Sequence, residues 1–173
     1  MRFKLTLLFA LAVIVLGIYT YRQLASPFSK GELVPDFSLI NLQKNTVQLN
    51  ELRGQVVMVH FWATWCPKCL HEFPQLNEFA GENPEIKVLA VSEDEGGEET
   101  LLKFFAGNKT NFDVLLDPEG LVADKYESYM VPETYLISKN GKFLRKFSGP
   151  VDWNTDEVGR QIKHLLGAEA NNN

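Results

Sequence analysis

Cys66 and Cys69 are the chain's only cysteines, and they stand three positions apart in Trp62-Ala63-Thr64-Trp65-Cys66-Pro67-Lys68-Cys69. The run before them, Val56-Val57-Met58-Val59-His60-Phe61, has the composition of a buried strand. The stretch after them, Leu70 to Ala80, carries apolar residues at helical spacing. Two thiols where a strand hands over to a helix can close a disulfide and open it again. The first sulfur falls beside the unpaired N–H groups of the helix start, which favour a thiolate, the form that attacks disulfides. A closed zinc site needs about four Cys or His ligands. No second cysteine pair exists, and His60, His71 and His164 lack the spacing of a ligand pair, so no metal is expected. A static bridge over so short a loop would constrain the unfolded chain little. The pattern favours a redox pair.

Two segments carry a family resemblance. Phe61-Trp62-Ala63-Thr64-Trp65-Cys66-Pro67-Lys68-Cys69, followed by a helix containing Pro74, resembles the active site of the thioredoxin superfamily. Met130-Val131-Pro132-Glu133-Thr134-Tyr135-Leu136-Ile137 resembles that superfamily's cis-proline loop and the strand after it. The Pro-Glu-Thr-aromatic version is similar to the membrane-tethered TlpA, ResA and CcmG (DsbE) group of cytochrome c biogenesis. The likeness runs from Leu33 to Leu166. It implies an α/β, thioredoxin-like fold: a central mixed β-sheet with helices on both faces, an N-terminal hairpin and a central helix–strand insertion. It also implies a protein disulfide oxidoreductase that reduces client disulfides, among them the haem-attachment cysteines of apocytochrome c. A membrane thiol transporter would recharge it, and no cofactor is needed. Three rivals stand beside this. One is a general disulfide oxidase or isomerase of the same fold. The second is a peroxiredoxin, whose pattern needs Thr or Ser where Ala63 stands. The third is a copper-delivery module, whose cysteines are spaced by three residues rather than two.

The resemblance also distributes roles. Cys66, nearest the helix start, would attack, and Cys69 would resolve the mixed disulfide. Pro67 suits the first helical position, and Lys68 adds positive charge beside the pair. His60 departs from the family, which carries a buried acid or a neutral polar residue at this point. It would either relay the proton of Cys69, with an ordinary pKa near 6.5, or sit as a hydrogen-bonded core residue. Glu72, three residues past Cys69, matches an active-site glutamate of the biogenesis group; the alternative is an exposed helix position. Pro132 would be cis and face the disulfide, leaving the Val131 backbone free to pair with an extended client segment. Glu133, at a strand start, would be exposed and help select the client surface. Trp65 is expected partly exposed beside Cys66, and Trp62 in the core.

The rest of the chain must position these groups. Arg2 and Lys4 precede an uncharged, mostly apolar run from Leu5 to Tyr21 that Arg22 ends. Residues 1–22 are therefore expected as an N-terminal membrane anchor, with a cleaved signal peptide as the rival. Either places the domain outside the cytoplasm: at a bacterial inner membrane, facing the periplasm or cell exterior. Residues 23–32 would be a linker, 33–167 the domain and 168–173 a disordered tail. Expected strands are Pro35–Leu42, Thr46–Leu49, Gln55–Ala63, Ile86–Ser92, Phe112–Asp117, Thr134–Ser138 and Lys142–Ser148. Expected helices are Pro67–Ala80, Glu98–Gly107, Leu121–Glu127 and Asn154–Leu166. A net charge of −5 without a basic cluster argues against nucleic acid as a partner. The acidic run from Glu93 to Glu99 is expected as a solvated loop leading into a helix.

Overall fold

The computed structural model describes residues 10–17 and 27–170. Most of the expected anchor and linker (1–9 and 18–26) and the end of the tail (171–173) lie outside the described residues. Residues 10–17 form a helix with exposed side chains. Among the described residues, no helix is long and apolar enough to cross a membrane.

Seven strands make one mixed sheet in the order β2-β1-β5-β4-β3-β6-β7: β1 (Ser38–Asn41), β2 (Thr46–Gln48), β3 (Val56–Trp62), β4 (Ile86–Ser92), β5 (Asp113–Leu116), β6 (Glu133–Ile137) and β7 (Phe143–Ser148). The four helices of the domain are α1 (Pro67–Glu82), α2 (Gly97–Phe105), α3 (Leu121–Lys125) and α4 (Asp156–Ala170). β3 is central, parallel to β4 and antiparallel to β6. All seven of its residues are buried, as a nearly continuous apolar strand between two covered faces requires.

One core layer joins Met58, Trp62, Cys69, Leu76, Leu101, Phe105 and Ile162, so α1, α2 and α4 cover that face. The other joins Val57, Val59, Phe61, Val122, Ala123, Tyr126 and Tyr135, with α3 and the incoming segment at Val34 and Phe37. The expected insertion is present as α2 and β5, and β5 slots between β1 and β4. The N-terminal hairpin β1–β2 pairs Ser38 with Gln48.

Several boundaries differ from expectation. β1 starts at Ser38 rather than Pro35. Pro35 has no N–H for a ladder, and its carbonyl instead accepts the Tyr126 hydroxyl at 2.9 Å. After β2 the chain makes a short 3-10 turn, Leu49–Leu52, that was not expected. α1 continues through Pro74 to Glu82. The Asn140-Gly141 turn joins β6 to β7, with Gly141 at φ 71°. A Cβ there would run into the Arg53 guanidinium, which bonds the Asn140 carbonyl.

Candidate active site

Cys66 is the residue that caps α1. Its backbone is extended (φ −93°, ψ 104°), Pro67 follows in the first turn, and its sulfur accepts the Cys69 N–H at 3.1 Å. A sulfur occupies the place of a capping oxygen and satisfies one of the orphan donors of the helix start. The first turn holds no acidic residue. When the bond opens, this setting favours negative charge on Cys66. Cys66 and Cys69 are joined as a disulfide with Cα atoms 5.3 Å apart. The bond is asymmetric toward solvent: Cys66 is 5% exposed and Cys69 0%. Trp62 is buried and packs on Phe73 at 4.5 Å between ring centroids, whereas Trp65 is 64% exposed. Pro67 and Lys68 are exposed beside it.

The facing wall is the segment before β6. The Val131–Pro132 peptide is cis, and the Val131 carbonyl oxygen lies 3.7 Å from Cys66 Sγ. Pro132 is buried, Val131 half-buried, and Tyr129 and Met130 are exposed ahead of them. Glu133 departs from expectation. It is 1% exposed, and its carboxylate pairs with Lys146 Nζ on β7 at 2.8 Å. β6 lies between β3 and β7, so the first residue of β6 is already inside the sheet. A direct part in selecting a client surface does not fit that burial. Desolvation raises its pKa, and Lys146 acts against the rise.

One helical turn past Cys69, Glu72 meets His60 of β3, both almost fully buried. His60 Nε2 lies 3.3 Å from Glu72 Oε1, but without the alignment of a directed hydrogen bond. Its Nδ1 is 2.9 Å from the Thr134 hydroxyl on β6. The other Glu72 oxygen accepts the Val151 N–H at 2.6 Å. Glu72 is thus no exposed helix residue; it faces inward one turn past Cys69. Burial pushes His60 down to about 3, so the imidazole is neutral. Burial also pushes Glu72 up to about 7, opposed by the Val151 N–H. A proton can therefore reside on or leave this carboxylate near neutral pH.

Three contributors have no signal in the sequence that reveals their partners. Thr134 seats the His60 ring, and Lys146 holds Glu133. Asp94 belongs to the acidic run expected to be solvated, yet it is 3% exposed and accepts the N–H and O–H of Thr64. The strand ends force this: the Glu93 N–H bonds the Trp62 carbonyl at 3.0 Å, which draws the next residue inward. Glu93 is half-buried and pushed up to about 7, first by burial and then by Asp117, Glu133, Asp124 and Asp94. Among the described residues, no group of three or more His, Cys, Asp or Glu is arranged to hold a metal.

Known proteins resemble this chain in sequence and fold. The model of the AhpC/TSA family matches residues 30–145. Thiol-disulfide oxidoreductase ResA of Bacillus subtilis is 32% identical over 125 residues, covering 70% of this chain and 68% of that protein. ResA of Geobacillus kaustophilus is 31% identical over 164 residues, covering 92% and 91%. The structure of a thiol:disulfide interchange protein DsbE from Chlorobium tepidum matches with a TM-score of 0.73 at 31% identity, covering 80% of this chain and 99% of that one. With its disulfide at the head of α1 in a thioredoxin-like sheet, the chain belongs to the AhpC/TSA family as a thiol–disulfide oxidoreductase of the ResA kind.

Proposed function

We propose that this protein is a membrane-anchored, extracytoplasmic reductant of client disulfides, with the C-x-x-C-H cysteines of apocytochrome c as its substrate class. The observation that carries the reading is the asymmetry of the pair: Cys66 at the helix start, and Cys69 fully buried, with the buried Glu72 one helical turn on and His60 beside that glutamate. In the reduced protein the Cys66 thiolate attacks one client sulfur. A Cys66–client bond forms, the client S–S bond breaks, and one client thiolate leaves. Cys69 then gives its proton to the His60/Glu72 pair and attacks Cys66 Sγ. The Cys66–Cys69 disulfide forms and the second client thiolate leaves, so two electrons pass from the protein to the client. Val131 and Pro132 provide the wall for an extended client segment, with Trp65 and Pro67 on the opposite side. A membrane thiol transporter would restore the dithiol, and residues 1–22 would anchor the chain, followed by a linker to residue 32.

The test uses the full-length chain in detergent, reduced and freed of reductant, mixed with an oxidised C-x-x-C-H peptide. The expected result is two peptide thiols for each Cys66/Cys69 pair oxidised, with Cys69→Ser trapping a mixed disulfide at Cys66. If the oxidised chain instead drives the dithiol peptide to its disulfide, the protein is a disulfide donor and the reductant reading fails.

A further inference from the structure

Asp94 is a buried carboxylate that no cation pairs with among the described residues. Its partners are two side chains and one backbone group. The Thr64 N–H reaches its two oxygens at 3.0 and 3.2 Å, the Thr64 hydroxyl donates at 2.5 Å, and the Ser92 hydroxyl donates at 2.7 Å. Hydrogen bonds to an ionised acceptor are the strong kind. Asp94 is itself fixed at the end of β4. Its N–H donates to Ser92 Oγ at 3.2 Å, and its carbonyl accepts the Gly97 N–H at 2.8 Å. The carboxylate therefore clamps the β3–α1 loop to a rigid strand end.

Two things could depend on that clamp: the sulfurs and Trp65. The sulfurs have their own supports inside α1. The Cys66 carbonyl accepts the Leu70 N–H at 3.1 Å and Cys66 Sγ accepts the Cys69 N–H at 3.1 Å. Trp65, 64% exposed, stands in a turn that the Cys66 N–H closes on the Ala63 carbonyl at 3.2 Å, and the Asp94 contacts at Thr64 tie that turn to the end of β4. We propose that Asp94 is a positioning residue that holds Trp65 ready for a protein client. An aromatic fixed before binding spares the ordering cost that a mobile one incurs on contact. A small disulfide needs only the sulfur. The inference rests on the reading of Trp65 as a client contact.

The test compares the full-length wild type with Asp94→Asn, Thr64→Val, Trp65→Ala and the Asp94→Asn/Trp65→Ala double variant. Dithiothreitol recharges each with insulin as the protein disulfide; for the small disulfide each protein is reduced, freed of dithiothreitol and mixed with 5,5′-dithiobis(2-nitrobenzoate) in a single turnover. Asn places an NH2 where the carboxylate accepted. Asp94→Asn is expected to raise KM for insulin about tenfold, with kcat, the small-disulfide rate and the equilibrium constant with glutathione within about twofold. Trp65→Ala should raise KM as much, and the double variant no more than Trp65→Ala alone, because the two changes act through one contact. Thr64→Val keeps the N–H bond and should raise KM by a smaller factor; it carries the test if Asp94→Asn does not fold. A rise in Trp65→Ala without one in Asp94→Asn, or in Thr64→Val when that variant stands in, overturns the inference alone. An unchanged KM in Trp65→Ala overturns the client reading of Trp65 and the inference with it. Parallel losses on both substrates, or multiplying effects in the double variant, also overturn it, because Asp94 would then act on the sulfurs or on the whole fold.

Discussion

Glu72, one turn past Cys69, and Glu133, next to Pro132, are the same residue type at nearly the same burial, 2% and 1% exposed. Their partners differ. Glu133 has Lys146 at 2.8 Å, and that ammonium also lies 5.3 Å from the Tyr135 ring centroid. Glu72 has a neutral imidazole and one backbone N–H. Burial raises the pKa of both carboxyls, but only at Glu133 does a full positive charge act against it. One carboxylate is a fixed half of an ion pair, while the other can exchange a proton near neutral pH. Burial alone does not assign a role to a carboxylate; what stands opposite it does.

The largest expected effect breaks the fixed pair. Lys146→Met leaves Glu133 buried without its cation and should cost about 3–5 kcal/mol in urea unfolding at pH 7. A loss below about 1 kcal/mol would mean that Glu133 is not held by Lys146, and the contrast with Glu72 would vanish. Thr134→Val removes the hydroxyl at His60 Nδ1 and leaves a buried ring nitrogen unpaired, an expected loss of about 1–3 kcal/mol by the same measurement. Glu72→Gln keeps the shape and removes the exchangeable proton. Resolution of the mixed disulfide by Cys69 should slow about tenfold or more, while attack by Cys66 stays within about twofold, both followed by rapid quench and mass spectrometry. Equal slowing of the two steps would assign Glu72 to general electrostatics instead.

The finest test is the pH dependence of stability. Glu72 is raised from its ordinary 4.5 to about 7, so the folded protein holds this proton more tightly than the unfolded chain does. Its contribution is complete below about 4.5 and is lost as pH rises to about 7. His60 is lowered from 6.5 to about 3, so its contribution is complete above about 6.5 and is lost as pH falls toward 3. Between about pH 4.5 and 6.5 the two slopes, each on the order of 1.4 kcal/mol per pH unit, oppose and cancel. His60→Asn should uncover stability that falls with rising pH, and Glu72→Gln stability that rises. Parallel wild-type and variant curves would contradict the assignment of both groups.

The positions of the sulfurs and the tryptophans were legible because their signals are local, whereas Pro132 was read from the family resemblance. A buried apolar strand, a proline in the first turn and two cysteines at helical spacing all lie within one stretch from Val56 to Cys69. The element order followed from periodicity and from turns such as Asn140-Gly141. Asp94 and Lys146 were not legible, because their partners lie 30 and 13 positions away in sequence, across the sheet. An acidic run and an alternating strand look solvated until the order β5-β4-β3-β6-β7 draws them together. Glu133 failed for the same reason: a strand start is exposed only when its neighbours leave it so. The strand that begins at Ser38 instead of Pro35 shows a local rule being enforced, since the proline cannot enter the ladder.

We propose that this disulfide, held at the head of a helix with the buried Glu72 and His60 one turn on, belongs to a reductant. Its reduction potential, measured on the full chain by equilibration with glutathione or dithiothreitol and thiol counting, is the most direct test. The expected value lies well below about −200 mV, on the reducing side of protein disulfide isomerase-like oxidants. A value near about −120 mV would make the protein a disulfide donor and contradict it.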